Sequence, residues 1–246
     1  MRRTIPFLAA LLATPVLAQP SEGVLRAFAT TLFGALPADV TVQLHPMPWG
    51  AAPPAAGVTH VLVAQNNAAA ALALVALPEG ETFAPRALAM GRAPEPGICE
   101  TPPGMPEADV LGDFAAARDE SSSLAQPIVL PASADGAALI GLTWRVGERR
   151  AAAQATMLFR LDGAQLREAG CFVTRLDAVI GVETAAGATR RRNVSSVWRI
   201  EPGPDARTPL LLRDSARPQR PVAVRPDAAG RYGLVVPEER ETGRRR

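Results

Sequence analysis

The sequence contains no lysine, and all 26 of its basic residues are arginine. Chemistry that depends on a lysine amine is therefore excluded, including Schiff-base formation, the lysine of a phosphate-binding P-loop and a serine–lysine dyad. Histidine and tyrosine are also scarce, with two histidines and one tyrosine in 246 residues. The side chains that most often move protons in enzymes are thus few.

Recognisable catalytic and metal-binding motifs are missing as well. No Gly-x-Ser-x-Gly sequence marks a serine hydrolase, and the serines of residues 121–123 and 195–196 lie in segments with turn and strand character. The spacing of His45 and His60 matches no zinc motif. We therefore predict no catalytic residue, no metal site and no cofactor, and whether the protein catalyses any reaction stays open.

An excess of charge of one sign is absent once the N-terminal segment is set aside. Removing Arg2 and Arg3 from the 26 basic residues leaves 24, which equals the number of acidic residues. A neutral chain lacks the positive field that nucleic-acid-binding proteins use, so nucleic acid is not expected as a partner.

Residues 1–18 have the layout of a secretory signal peptide. Arg2 and Arg3 form a basic start, residues 5–12 are mostly apolar, and Val16-Leu17-Ala18 ends the segment with small residues at the positions that signal peptidase reads. The apolar stretch is too short for a membrane-spanning helix, which needs about 20 apolar residues. We expect cleavage after Ala18 and a periplasmic or secreted protein with no membrane span in its mature chain.

The two cysteines, Cys99 and Cys171, are expected to form a disulfide in an oxidising compartment. The close spacing typical of redox pairs is missing, although two free thiols or a redox pair remain alternatives. We predict a structural bond that pins the proline- and glycine-rich segment 92–106.

Residues 21–36 are predicted to form one amphipathic helix. Apolar residues recur at intervals near 3.6, at Val24, Leu25, Phe28, Leu32, Phe33 and Leu36. Ser21 is a candidate N-cap, and Gly34 followed by Pro37 marks the end of the helix.

Most of the remaining pattern is typical of β-strands. Apolar and polar residues alternate over residues 137–146 and 153–161, and Asp162-Gly163 is a strong hairpin signal. Further strands are predicted at residues 40–44, 58–64, 69–77, 110–114, 165–173, 176–183, 193–200, 210–213 and 222–224, of which 69–77 has a helical alternative. The predicted fold class is mainly β, an antiparallel sandwich or barrel-like body with one N-terminal amphipathic helix. Periodicity does not give strand order, so a propeller also stays open.

After the signal peptide, residues 19–237 are predicted to form a single β-rich domain. The candidate boundary for a subdivision is the loop-rich region near residues 92–125. Residues 238–246 are highly charged and are predicted to form a disordered tail.

Three residues are candidates for contact with a ligand or partner: Trp49, His45 and Arg191. Trp49 lies among prolines in a segment expected to be irregular, where its ring either makes such a contact or folds back onto the core. His45 precedes Pro46 in the same segment and is expected to be the more exposed histidine. Arg191 is central in an arginine run expected between strands, which suits either an anion or a solvated turn.

These absences favour a non-catalytic module that binds a small ligand or an envelope protein after export. The alternative is an exported hydrolase that uses carboxylates alone, drawn from Asp109, Asp113, Asp119 and Glu120. A third hypothesis is an assembly partner of another envelope protein. The sequence does not distinguish which ligand or partner is bound.

Overall fold

The computed structural model describes residues 20–47, 56–66, 70–78, 83–93, 99–105, 126–130, 133–148, 151–183 and 189–235. The predicted strand at residues 110–114, the predicted signal peptide and the predicted disordered tail lie outside these ranges. Most of residues 92–125 does too, so the single-domain assignment stays a prediction. No helix in the described part of the chain is long and apolar enough to span a membrane.

Helix α1 spans Glu22–Phe33 and confirms the predicted N-terminal helix. It ends at Gly34, whose φ of +86° is strained for any residue with a Cβ atom. Ser21 occupies the N-cap position, but its hydroxyl makes no capping bond. The amides of Val24 and Leu25 donate instead to the Ser21 carbonyl.

Two arginines hold α1 against its surroundings, one from within the helix and one from the strand Arg86–Ala93. Arg26 reaches past the helix to the carbonyls of Pro37 at 2.5 Å and Val40 at 2.8 Å. Arg92 donates to the Phe33 carbonyl at 2.7 Å. Helix C-terminal carbonyls such as that of Phe33 lack partners within the helix and carry partial negative charge, so the Arg92 guanidinium supplies both a donor and a positive charge.

The described strands follow α1 in chain order. They are β1 (Thr41–Pro46), β2 (His60–Gln65), β3 (Ala70–Ala76), β4 (Arg86–Ala93), β5 (Gln126–Val129), β6 (Leu139–Glu148), β7 (Ala151–Asp162), β8 (Gln165–Glu183), β9 (Thr189–Asp205), β10 (Thr208–Asp214), β11 (Val222–Pro226) and β12 (Tyr232–Leu234). The described part of the chain is therefore mainly β with one helix near its N-terminal end, as predicted.

The strands form two antiparallel meanders in which each strand pairs with the next along the chain. One runs from β1 to β4 and the other from β5 to β12. They join where β4 lies parallel to the start of β8, at Met90 and Gln165, so the whole sheet is mixed. No pairing closes the described strands into a barrel.

Three apolar clusters divide the body into layers. The first lies between α1 and one face of β1–β3, and the second between the other face and strands β6–β8. Val61 and Val63 point into the second cluster while Leu62 and Ala64 point into the first, because side chains alternate along a strand. A strand buried on both faces reads as a continuous apolar run, which explains residues 61–64.

The third cluster lies between β6–β8 and the curled strands β9–β12. Phe172 of β8, Trp198 of β9, Leu210 of β10, Val224 of β11 and Tyr232 of β12 all contribute buried side chains. This layer places the short last strand, β12, beside the first half of β8. The space between them is the cleft described below.

Several strands differ from those predicted. Residues 165–183 form one strand rather than two, because Arg175 continues the ladder with Gln154 and Val197 after a register shift that leaves one extra residue in β8. Residues 70–76 form a strand and not a helix, since burial on both faces outweighs the helix propensity of alanine and leucine. β4, β5 and β12 were not predicted, because their short runs lack clear alternation.

Candidate functional site

His45 lies in strand β1 and not in an irregular loop, which corrects the sequence prediction. Val42 points toward α1, and His45 lies three positions further along the strand. Because side chains alternate, His45 points to the opposite face, where the second apolar cluster lies. Its Nε2 atom is buried and has no hydrogen-bond partner among the described residues. Burial lowers the pKa of His45 below 6.5, so the ring is neutral at pH 7.

His60 cannot share a ligand with His45, because the two rings lie on opposite faces of the same sheet. His45 pairs with Val61 and Pro46 pairs with His60, so alternation points the imidazoles apart. The His60 ring contacts the Thr59 hydroxyl at 3.0 Å, and burial lowers its pKa as well. Within the described ranges no three His, Cys, Asp or Glu side chains are grouped to hold a metal ion.

The remaining sequence candidates are only partly described. Trp49 and the carboxylates Asp109, Asp113, Asp119 and Glu120 lie outside the described residues, as do the serines at 121–123. Arg191 lies within β9, opposite Gly181 of β8, so the arginine run is part of a strand and not a turn. Its side chain is not described.

The serine pair in β9 makes structural contacts. Ser195 donates to Asp177 at 2.7 Å, and Asp177 also accepts from Arg175. Ser196 accepts from the buried indole of Trp198 at 3.0 Å. Neither hydroxyl has a histidine among its hydrogen-bond partners, so the described contacts do not form a catalytic triad.

A cleft of about 490 Å³ lies between the first half of β8 and the hairpin of β11 and β12. The lining residues that carry its chemistry are Glu100, Glu168, Cys171, Arg225, Arg231 and Gly233. A volume of this size lies within the range of small-molecule sites, roughly 300–1,000 Å³.

The predicted disulfide between Cys99 and Cys171 is formed, with an S–S distance of 2.01 Å, and borders this cleft. It attaches the segment before Met105 to β8. The backbone follows the bond, because the Glu100 amide donates to the Cys171 carbonyl and the Glu100 carbonyl accepts from Val173, both at 2.9 Å. One covalent and two hydrogen bonds therefore fix the backbone of Glu100.

The side chain of Glu100 crosses the cleft to the last strand. Its carboxylate accepts a hydrogen bond from the Leu234 amide at 2.7 Å. One edge of β12 pairs with β11, and the Leu234 amide points away from that edge. The Glu100 carboxylate therefore binds where the next strand of a sheet would bind. A second cross-cleft contact joins Arg231 to Glu168 at 3.4 Å.

Two glycines allow β12 to approach the disulfide. Gly170 has a φ of +150°, and a Cβ atom there would lie 2.6 Å from the Tyr232 carbonyl oxygen. Only glycine permits this approach. Gly233 leaves the floor of the cleft open, since a Cβ atom at this position would stand 3.1 Å from Glu100 Oε1.

Tyr232 anchors β12 from beneath the cleft. Its hydroxyl donates to Asp135 Oδ2 at 2.9 Å, and Asp135 also accepts from Ser133 and from the Ala137 amide. Burial alone would raise the pKa of Asp135. The hydrogen bonds and the charge of Arg160 outweigh burial and hold that pKa below 3.8. Burial and the bond to Asp135 raise the pKa of Tyr232.

Tyr232→Phe is expected to lower the free energy of unfolding by about 1 kcal/mol at neutral pH, since the exposed Asp135 carboxylate regains water in place of the hydroxyl. The pKa of Asp135 is lower in the folded state than its ordinary value of 3.8. Its contribution to the free energy of unfolding is therefore complete above pH 3.8 and is lost as the pH falls through the folded-state pKa. The difference between wild type and variant should therefore shrink below pH 3.8. Urea unfolding across this range measures it, and a pH-independent difference would contradict the role of Asp135.

The cleft residues were not among the sequence candidates. The one available signal was the cysteine pair, which brings residue 171 to residue 99 and with it the neighbouring Glu100. Glu168 and Gly170 precede Cys171 on β8, whereas residues 225–235 come from more than 50 positions further along the chain, and their approach depends on the curl of β9–β12.

Comparison with known proteins identifies no relative: no family model matches the chain, and no curated protein or solved structure is detectably similar to it. The argument for function therefore rests on the residues of the cleft.

Proposed function

We propose that this chain is an exported, non-catalytic binding module that holds a small polar ligand in the cleft beside the disulfide. The observation that carries the proposal is a cleft of about 490 Å³ that is lined by charged side chains of both signs. Its two walls are joined by the contacts between Glu100 and Leu234 and between Glu168 and Arg231. A concave site with a few convergent polar groups is the usual form of a small-molecule site.

The walls of the cleft are held in place before a ligand arrives. The disulfide, the Glu100–Leu234 contact and the close approach of Gly170 to Tyr232 position β12 against β8. Preorganised walls lower the entropic cost of binding, because fewer groups become ordered when the ligand enters.

The chemistry of the lining residues supports binding over catalysis. They include no histidine, serine or threonine, and Cys171 is tied up in the disulfide. The Tyr232 hydroxyl already donates to Asp135, and guanidinium groups bind anions but do not exchange protons near pH 7. Glu100 and Glu168 each contact a donor on the opposite wall.

Export to the periplasm or beyond is part of the proposal. The N-terminal segment has the pattern of a signal peptide, and the disulfide is stable where the compartment is oxidising.

The test is native mass spectrometry of the mature protein purified from periplasm under non-denaturing conditions. We expect a bound mass that disappears on acid denaturation and is lost in the Arg225→Gln, Arg231→Gln double variant. Arg207→Gln is the matched control, since Arg207 is exposed and is not among the lining residues.

The proposal would be overturned if the purified protein carried no bound mass and also bound nothing from a small-molecule extract of the periplasm. Turnover of a generic ester or glycoside that Glu100→Gln or Glu168→Gln abolishes would establish a hydrolase in its place. Co-purification of a stoichiometric envelope protein on this cleft would favour the assembly hypothesis.

A further inference from the structure

We infer that the cleft takes a compact zwitterion that bears one carboxylate and one ammonium group, a free α-amino acid being the simplest case. The inference rests on the proposed function and names its ligand class. It is carried by the arrangement of charges around Gly233.

Gly233 lies between charges of opposite sign. Tyr232 and Val224 point into the third cluster, so Gly233 and its cross-strand partner Arg225 point outward. Directly opposite residues in an antiparallel pair have Cβ positions about 5 Å apart, which places the Arg225 side chain along one side of the glycine. Glu100 Oε1 borders the other side, 3.1 Å from where a Cβ atom would be.

The arginine side of the cleft suits a carboxylate. Arg231 lies two residues before Gly233 and shares its outward face, and its side chain is 64% exposed. Arg225 is exposed too, and only its Nε atom has a partner among the described residues, the Thr208 hydroxyl at 3.3 Å. Its terminal nitrogens are thus available for the paired hydrogen bonds that guanidinium groups make to carboxylates.

The glutamate side of the cleft suits an ammonium group. Glu100 uses one oxygen for the Leu234 amide and keeps lone pairs on the other. Glu168 contacts Arg231 at 3.4 Å, which is long for a charge-assisted bond, and an exposed ion pair of this kind is worth little. A ligand ammonium with three donors can replace that contact while the ligand carboxylate takes Arg231.

A ligand with a single charge fits this arrangement less well. A simple anion would lie near Glu100 and Glu168, and a simple cation would lie near Arg225 and Arg231. Asp227 adds a third carboxylate to the lining, and its Oδ1 atom accepts from the amides of Ala229 and Arg231 within its own turn.

The test is isothermal titration of the mature wild-type protein with each common free L-amino acid. The tightest binder is then compared with its N-acetyl derivative, which lacks the ammonium, and with its carboxamide, which lacks the carboxylate. We expect each derivative to bind about ten- to a hundredfold more weakly, the range for one charged hydrogen-bonded group.

Two variants assign the two charges to the two sides of the cleft. Arg225→Gln should weaken binding of the free amino acid but leave binding of its carboxamide unchanged. Glu168→Gln should weaken binding of the free amino acid and of its carboxamide, which both carry the ammonium, and leave binding of the N-acetyl derivative unchanged. Arg207→Gln again serves as the control that should bind as wild type does.

A third variant tests the place of binding without changing any charge. Gly233 has no left-handed φ, so its backbone accepts a β-branched residue, whose Cβ atom would press on Glu100 Oε1 at 3.1 Å. Gly233→Val should abolish binding by filling the floor of the cleft, and an unchanged melting temperature would show that the fold is retained.

The inference fails if no free amino acid binds the wild-type protein, or if either derivative binds as tightly as the parent. These readings need no variant to fold. A co-purified ligand that lacks one of the two charges would overturn the zwitterion and leave the proposed function standing. Absence of any small ligand, both from periplasm and in titration, would overturn both.

Discussion

Replacing both Cys99 and Cys171 with serine is expected to lower the free energy of unfolding by about 4 kcal/mol. The disulfide closes a loop with a sequence separation of 72, and the chain-entropy model gives roughly this value for such a length. We expect the cleft to be the first region that loses structure, because the disulfide holds the backbone of Glu100 against β8. We therefore expect faster hydrogen exchange at the Leu234 amide, whose acceptor is the Glu100 carboxylate.

The measurement combines urea unfolding with hydrogen exchange resolved to single residues. Glu100→Ala is the matched control, since it keeps the disulfide and removes only the acceptor of the Leu234 amide. It should speed exchange at Leu234 with a much smaller loss of stability. An unchanged unfolding midpoint in the double-serine variant would contradict the stabilising role of the bond. Protected exchange at Leu234 in both variants would contradict the role of Glu100.

Phe159→Ala is expected to cost about 3–5 kcal/mol, the usual range for removing a buried aromatic ring. Phe159 has no exposed surface and lies in the cluster between β2–β4 and β6–β8. Its removal leaves a cavity between two layers of strands, where neither layer can collapse without disturbing its own hydrogen-bond ladder. Phe159→Leu removes less volume and should cost less.

Urea unfolding with the slope held constant between variants measures both costs. Equal losses for the alanine and leucine variants would show that the cavity between the sheets is not what determines stability. A loss below 1 kcal/mol for Phe159→Ala would contradict tight packing of this layer.

Local signals were sufficient for elements whose residues interact with near neighbours in sequence. Helix α1 and the hairpin of β7 and β8 were predictable, because a helix repeats every 3.6 residues and Asp162-Gly163 meets the geometry of a tight turn. The alternation of residues 137–146 correctly indicated β6. The secondary structure of residues 70–76 was ambiguous, since the choice between strand and helix depended on burial of both faces.

The candidate site depended on contacts that no local pattern records. Glu100 and Leu234 are 134 positions apart, and their bond requires the curl of β9–β12 over the third cluster. His45 illustrates the opposite error: its neighbouring prolines suggested a loop, but pairing with Val61 extends β1 through Pro46. Proline is compatible with this position because β1 pairs with β2 alone among the described strands.

The mainly β class, the N-terminal helix and the exclusion of lysine chemistry could be predicted from the sequence alone. These properties follow from composition and from periodicities of two and 3.6, which are local. The order of the strands, the layer in which each strand lies and the cleft with its charges of opposite sign became known only from the tertiary structure. Those features arise where distant strands bury their apolar faces against one another, and the hydrophobic effect that drives this burial is not directional.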